Sequence, residues 1–178
     1  MKAYQTETAP YSDSTIQGEW FALHVRSRHE KLVSRQLDER GITNWLPLLE
    51  TRRRWSDRYK IINEPLFPGY LFVSIASEDR FDALYARGTV GFVSFNGCPC
   101  PVPAEQLEQV RRALASKLKC NPYPYLHKGR PAEILRGPLK GLSGTLIQKN
   151  RKHRFVLSVP LIGRSVAVEL DAVDIRPL

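Results

Sequence analysis

The residues of this chain that best suit chemistry lie between positions 48 and 66, and the chemistry they suit is the binding of a polyanion. Trp55 and Tyr59 are interleaved there with five cationic side chains, which are Arg52, Arg53, Arg54, Arg58 and Lys60. Cations neutralise phosphates, and exposed aromatic rings stack on unpaired bases. A Ser-Asp pair between two extended runs predicts a hairpin, which we call the arm. A solvated hairpin whose charges serve only solubility is the alternative interpretation.

The net charge of the chain is consistent with such a partner. The 178 residues include 27 Lys and Arg against 18 Asp and Glu, giving a formal charge of +9, and residues 118–178 carry +7 of it. A polyanionic partner fits that excess, and a merely soluble basic protein fits it equally well. With 42% hydrophobic and 25% charged residues, the chain is expected to fold around a buried core.

The sequence offers no constellation for catalysis or for a cofactor. Gly137 to Gly144 lacks the order of a phosphate-binding loop, and no Ser, His or carboxylate spacing suggests a nucleophile with its base. Cys98, Cys100 and Cys120 lack the paired spacing of a zinc knuckle, so reduced thiols and no metal are expected. The longest apolar stretch, Tyr70 to Ala76, is far shorter than a membrane span, which predicts a cytoplasmic protein.

The elements that must position these residues follow from apolar spacing. Strands are expected at 20–25, 42–46, 70–75 and 91–95, and helices at 28–40 and 78–87. A third helix is expected from Pro103, with apolar residues at helical spacing up to Leu118. The stretch from Cys120 to Lys128 holds two prolines and predicts a stiff linker without strand or helix.

The pattern divides the chain into four parts. Residues 1–17 are polar and are expected to be a disordered leader, and residues 18–118 are expected to form an amino-terminal domain. Residues 119–127 are the predicted linker, and residues 128–178 a second domain. In that second domain, short β-type runs separated by Gly and Pro fit a small SH3-like β-barrel. The predicted fold class is α+β.

Three segments of the amino-terminal part and two of the tail carry a family resemblance. The segments Trp20 to His24, Glu64 to Val73 and Gly88 to Val93 resemble the amino-terminal domain of the NusG family of bacterial transcription elongation factors. Arg136 to Thr145 resembles the KOW element of that family, and Ser158 to Leu170 continues the match through the barrel. The resemblance implies an antiparallel sheet flanked by helices, followed by the KOW barrel. It also implies a transcription factor rather than an enzyme.

The resemblance further implies a site for RNA polymerase. In this family the amino-terminal domain docks on the coiled coil of the polymerase clamp through an aromatic depression, and the matching positions here are Trp20, Phe67, Pro68 and Tyr70. For Trp20 and Phe67, a place in the core of a sheet is the competing interpretation. The arm would contact the non-template DNA strand of the transcription bubble. A specialised antiterminator of the RfaH or UpxY type, acting on particular long operons, is the expected subgroup.

The barrel is expected to recruit a second partner. The family presents apolar side chains there to the ribosomal protein NusE or to Rho, and the matching positions are Leu139, Leu142, Leu161 and Ile162. Arg164 is expected to contact the same partner. The chain is expected to be a monomer with no membrane partner. A ribosome-associated RNA-binding protein is the alternative function, because KOW barrels also occur in ribosomal proteins. The Phe-Pro-Gly-Tyr segment argues against it.

Overall fold

The structure is a computed structural model, and it describes residues 18–178 apart from 56–57, 77–79, 117, 126–128, 150–151 and 172–173. The predicted leader and the tip of the arm therefore lie outside the described residues. The described elements are β1 (Glu19–Val25), α1 (Glu30–Glu39), β2 (Asn44–Trp45), β3 (Leu48–Trp55), β4 (Arg58–Pro65), β5 (Tyr70–Ile75), α2 (Arg80–Leu84), β6 (Thr89–Phe92), β7 (Ser94–Phe95), β8 (Cys98–Pro99), α3 (Ala104–Ala115), β9 (Cys120–Pro124), β10 (Arg130–Ile134), β11 (Ser143–Lys149), β12 (Lys152–Val159), β13 (Arg164–Glu169) and β14 (Ile175–Pro177). The α+β fold class is confirmed.

The first sheet has the strand order β2-β5-β1-β6 and carries an apolar layer on each face. Alternation along β1 and β5 sends successive side chains to opposite faces, and Ala22 lies opposite Phe72 in the register. One face packs on α1 and α2, where Val33 and Leu37 are fully buried. The other face, which includes Ala22 and Phe72, belongs to a core that it shares with α3. Strands β3 and β4 form the arm as a separate two-stranded ladder.

The second sheet is antiparallel, has the order β14-β10-β11-β12-β13-β9, and packs on the same helix α3. Its short strands suit the SH3-like barrel expected from the sequence. Two hydrogen bonds connect the part of the chain around this sheet to α3. The Arg112 guanidinium donates to the Lys140 carbonyl at 3.0 Å, and the Cys120 thiol donates to the Ala113 carbonyl at 3.4 Å. The two sheets therefore share one helix between them.

Several predicted elements differ from the structure. The strand predicted at 91–95 is divided between β6 and β7, which belong to different sheets. The predicted linker contains strand β9, in which Pro122 and Pro124 pair with β13. Both prolines are tolerated because β9 lies at the edge of its sheet, where a missing N–H on the free side breaks no ladder bond. The helix predicted at 78–87 ends earlier than expected, since α2 ends at Leu84, and positions 78 and 79 lie outside the described residues. That helix buries Ala83 and leaves Phe81 exposed.

A buried carboxylate holds the turn that leads into β5. Glu30 at the start of α1 is only 4% exposed, and its Oε1 accepts a hydrogen bond from the Gly69 N–H at 2.8 Å. Gly69 has φ 84°, a conformation that favours glycine. The turn is closed by the Tyr70 N–H donating to the Phe67 carbonyl at 3.0 Å, and it is anchored to β1 by the Val25 N–H donating to the Gly69 carbonyl at 2.9 Å. Glu30 thus fixes the segment that places Tyr70.

Replacing this carboxylate tests its role in the fold. Glu30→Ala leaves the Gly69 N–H without its acceptor, so the free energy of unfolding should fall by about 1–3 kcal/mol. Glu30→Gln keeps an acceptor oxygen of similar reach and should recover most of that loss. Urea denaturation of the full chain measures both variants. An alanine variant as stable as the parent chain would show that the bond contributes nothing.

Candidate functional site

The surface centred on Tyr70 lies at one end of the first sheet, on the face that α3 covers elsewhere. Tyr70 is half-buried and pairs across the strands with His24, which is exposed. Their rings stack at a centroid distance of 5.2 Å with 27° between the planes. His24 in turn lies opposite Gly91 of β6, where an added Cβ would meet no atom within 4 Å. An aromatic pair therefore borders open space, and we call Tyr70, His24 and the neighbouring Pro68 the aromatic end.

The four residues predicted to bind polymerase divide into two groups. Pro68 is exposed and Tyr70 is half-buried, so both belong to the surface. Trp20 and Phe67 are buried, with 9% and 1% of their surface exposed. Phe67 packs edge-on against Phe72 at 6.2 Å between ring centroids. The structure therefore places Trp20 and Phe67 in the core beneath the surface, in agreement with the competing interpretation.

The cations of the arm lie on two different faces. Arg54 pairs with Tyr59 and Arg52 with Ile61, and alternation places all four side chains on one side of the ladder. The Arg52 guanidinium lies over the Tyr59 ring at 4.1 Å from its centroid. Tyr59 and Ile61 are 58% and 62% exposed, so this face presents cations together with apolar surface. We call it the Tyr59 face.

The other face of the arm carries the remaining predicted residues, which are Arg53, Arg58 and Lys60. Arg53 is already paired, because its guanidinium donates to both carboxylate oxygens of Glu64 at 2.8 and 3.1 Å. A cation held by a carboxylate has less to offer a phosphate than one without that neighbour. The five cations therefore lie on two faces of the arm and do not form a single patch.

The barrel residues predicted to meet a partner are mostly covered. Leu139, Leu142 and Ile162 are buried, Leu161 is half-buried and Arg164 is exposed. The three buried residues belong to the same core as Leu107 and Val110 of α3. The bond from Arg112 to the Lys140 carbonyl fixes α3 on the loop between Leu139 and Leu142. A protein partner could not reach these side chains in this arrangement.

Several exposed side chains were missed in the sequence. His24 follows from the alternation of β1, which puts it on the same face as Trp20 and Ala22. Phe81 on α2 and Tyr85 directly after it are 70% and 74% exposed, although their spacing resembles a buried helix face. Phe95 on β7 is also exposed. Exposure of these rings depends on what packs beside them, so spacing alone does not reveal it.

Metal and membrane binding find no support in the described part of the chain. Within it, no three His, Cys, Asp or Glu side chains are grouped so that they could hold a metal ion. The helices described there are all too short or too polar to cross a bilayer. Burial raises the pKa of the Cys120 thiol to about 11, which keeps this thiol protonated at neutral pH.

Bacterial proteins named NusG are similar to this chain along most of its length. NusG of Thermus thermophilus, named "Transcription termination/antitermination protein NusG", is 25% identical over 174 residues, covering 86% of this chain and 95% of the relative. The protein of the same name from Bacillus subtilis is 23% identical, covering 89% of this chain and 98% of the relative. The relatives and this chain are thus similar in length as well as in sequence.

A similar solved structure and a matching family model point to the same family as these relatives. A solved structure of Thermotoga maritima NusG covers 92% of this chain with a TM-score of 0.52 and 23% identity, which supports a shared fold. The family model "Transcription termination factor nusG" matches residues 18–111, more than half of the chain. This match includes the aromatic end and the arm. The chain therefore belongs to the NusG family of transcription termination and antitermination factors.

Proposed function

We propose that this protein binds RNA polymerase through the aromatic end and keeps the enzyme transcribing past pause and termination sites. The observation that carries the proposal is the stacked pair of half-buried Tyr70 and exposed His24, beside the exposed Pro68. The tip of a helical coiled coil, such as the polymerase clamp offers, buries well against such rings. Trp20 and Phe67 support this surface from beneath and are not contacts themselves.

The effect on transcription follows from population shift. A ligand that prefers the closed clamp raises the population of polymerase in that state by the ratio of its affinities for the two states. Paused polymerase is expected to have the more open clamp, so a protein bridging the clamp and the DNA disfavours pausing. Restriction to particular long operons, as in the RfaH and UpxY groups, is part of this proposal.

The arm supplies the DNA contact in this proposal, and its Tyr59 face is the better candidate. Arg52 and Arg54 offer charge to phosphates, while Tyr59 and Ile61 offer apolar surface to exposed bases. Arg53 on the opposite face is bonded to Glu64 and contributes less. The expected target is the non-template strand of the transcription bubble.

Recruitment of NusE or Rho by the barrel requires a rearrangement. Leu139, Leu142 and Ile162 share a core with α3, so a partner must displace that helix to reach them. Arg164 is exposed and can meet a partner first. The proposal therefore includes separation of the barrel from α3 when the partner binds.

The aromatic end predicts a specific loss of affinity. Tyr70→Ala removes a ring from the centre of the proposed contact, and binding to core RNA polymerase should weaken about tenfold or more. Tyr70→Phe keeps the stacking surface and should bind nearly as well as the parent chain. Fluorescence titration of the labelled full chain with polymerase measures both.

The alternative function, a ribosome-associated RNA-binding protein, predicts a different result for the same Tyr70 variants. If Tyr70→Ala binds polymerase normally while the protein sediments with ribosomes after a high-salt wash, the ribosomal alternative is favoured. If the alanine variant binds weakly and the ribosomes are free of the protein, the polymerase proposal is supported. Unfolding curves of each variant exclude a general loss of structure.

The arm predicts a salt-dependent effect. Arg52→Gln combined with Arg54→Gln should lengthen pauses in a reconstituted elongation complex and reduce the salt dependence of antipausing, by a slope of roughly 0.7 for each lost contact with a single strand. Polymerase binding should change little. The matched control, Arg53→Gln with Glu64→Gln, removes one cation and its partner from the other face. If the Arg52 and Arg54 double variant pauses like the parent chain at every salt concentration, the arm is only a solvated hairpin.

A further inference from the structure

Glu30 is far from Tyr70 in sequence, yet it is bonded to the residue that precedes this tyrosine. Its Oε1 accepts the Gly69 N–H at 2.8 Å, across 39 positions of the chain. Glu30 is the first residue of α1, so the helix supplies the carboxylate that holds the turn. The side chain is buried, which keeps it away from any partner that meets the surface. Its effect on such a partner must therefore pass through Gly69.

Gly69 lies between this carboxylate and both rings of the aromatic end. Its N–H is bonded to Glu30, and its carbonyl accepts the Val25 N–H at 2.9 Å. A Cβ built on Gly69 would lie 3.8 Å from two atoms of the His24 ring, so the backbone of Gly69 passes beside that ring. Tyr70 is the next residue in the chain. The position of Gly69 therefore constrains both members of the stacked pair.

The backbone conformation of Gly69 makes the bond to Glu30 important for this constraint. Gly69 has φ 84°, and a glycine passes between backbone regions more readily than any other residue. An N–H that loses a buried acceptor is costly to leave unpaired, so the turn would shift until this group met water. Such a shift would move Tyr70 away from the His24 ring.

We propose that Glu30 is a positioning residue for polymerase binding, which holds the stack of Tyr70 and His24 in place through Gly69 before polymerase arrives. The proposal rests on the function proposed above for the aromatic end. A surface that is already held in its bound arrangement loses less conformational freedom on binding. Glu30 thus raises the affinity for polymerase without contacting it.

The test compares the affinities of four full-length variants for core RNA polymerase. Glu30→Ala should weaken binding about threefold or more, and Glu30→Gln, which keeps an acceptor oxygen, should bind nearly as well as the parent chain. Tyr70→Ala removes the ring that Glu30 positions. Adding Glu30→Ala to Tyr70→Ala should therefore weaken binding much less than Glu30→Ala does alone.

Asn44→Ala is the matched control for a general loss of stability. Asn44 is bonded to Ser34 and Asp38, farther along the same helix, at 2.6 Å in each case. Its replacement removes hydrogen bonds of α1 but leaves the turn at Gly69 intact, so the affinity should stay that of the parent chain. Hydrogen exchange of the Gly69 amide, measured without polymerase, should become faster in Glu30→Ala and stay unchanged in Asn44→Ala.

The outcomes separate this proposal from the function on which it rests. If Tyr70→Ala binds polymerase normally, both fail. If Tyr70→Ala binds weakly while Glu30→Ala binds like the parent chain, only the positioning role is overturned. An equal loss of affinity from Glu30→Ala with and without Tyr70, or an equal loss in Asn44→Ala, would also overturn it, because the effect would then not pass through the aromatic pair.

Discussion

The packing of α3 between two sheets is the constraint on which the rest of the structure depends. Leu107, Val110 and Ala113 are buried on this helix and join the core of the first sheet to the core of the second. Burial of a Leu or Val side chain contributes about 1.5–3 kcal/mol, so neither sheet can release the helix without losing several such terms. Two arginines of α3 likewise contact one sheet each. Arg111 lies over the Trp45 ring on the first sheet, and Arg112 donates to Lys140 at the second.

This shared helix decides which surfaces a partner can reach. The face of the first sheet that shares its core with α3 leaves His24 and Pro68 exposed and Tyr70 half-buried at one end, and Glu30 holds the turn between Phe67 and Tyr70. The same helix closes the apolar side of the barrel, where Leu139 and Leu142 are buried. Binding at the aromatic end is therefore available in this arrangement, whereas recruitment through the barrel leucines requires α3 to move. The arm is a separate two-stranded ladder, and the DNA contact proposed for it involves neither the aromatic end nor the barrel leucines.

The local sequence pattern predicted where the strands and helices lie better than it predicted which of their faces are exposed. Alternation in β1 and β5 and the helical spacing of α3 are local properties, and the structure contains all three elements where the sequence places them. Strand β9 was missed because Pro122 and Pro124 argue against a strand until its edge position is known. Leu139 is buried in a core that includes residues of α3, more than twenty residues away in sequence, and no local pattern encodes this shared core. For the arm, the pairing of Arg53 with Glu64 depends on the register of the two strands. Composition does not reveal that register, so the sequence analysis treated cations from two faces as one patch.

The most direct test of polymerase docking is site-specific photo-crosslinking of the full chain in a bacterial extract that contains both polymerase and ribosomes. A benzophenone amino acid replaces His24, next to Tyr70, and a control protein carries it at Leu178, which is also exposed. The proposal predicts that position 24 crosslinks to the clamp coiled coil of RNA polymerase and that position 178 does not. Crosslinks from position 24 to ribosomal components, with none to polymerase, would contradict it.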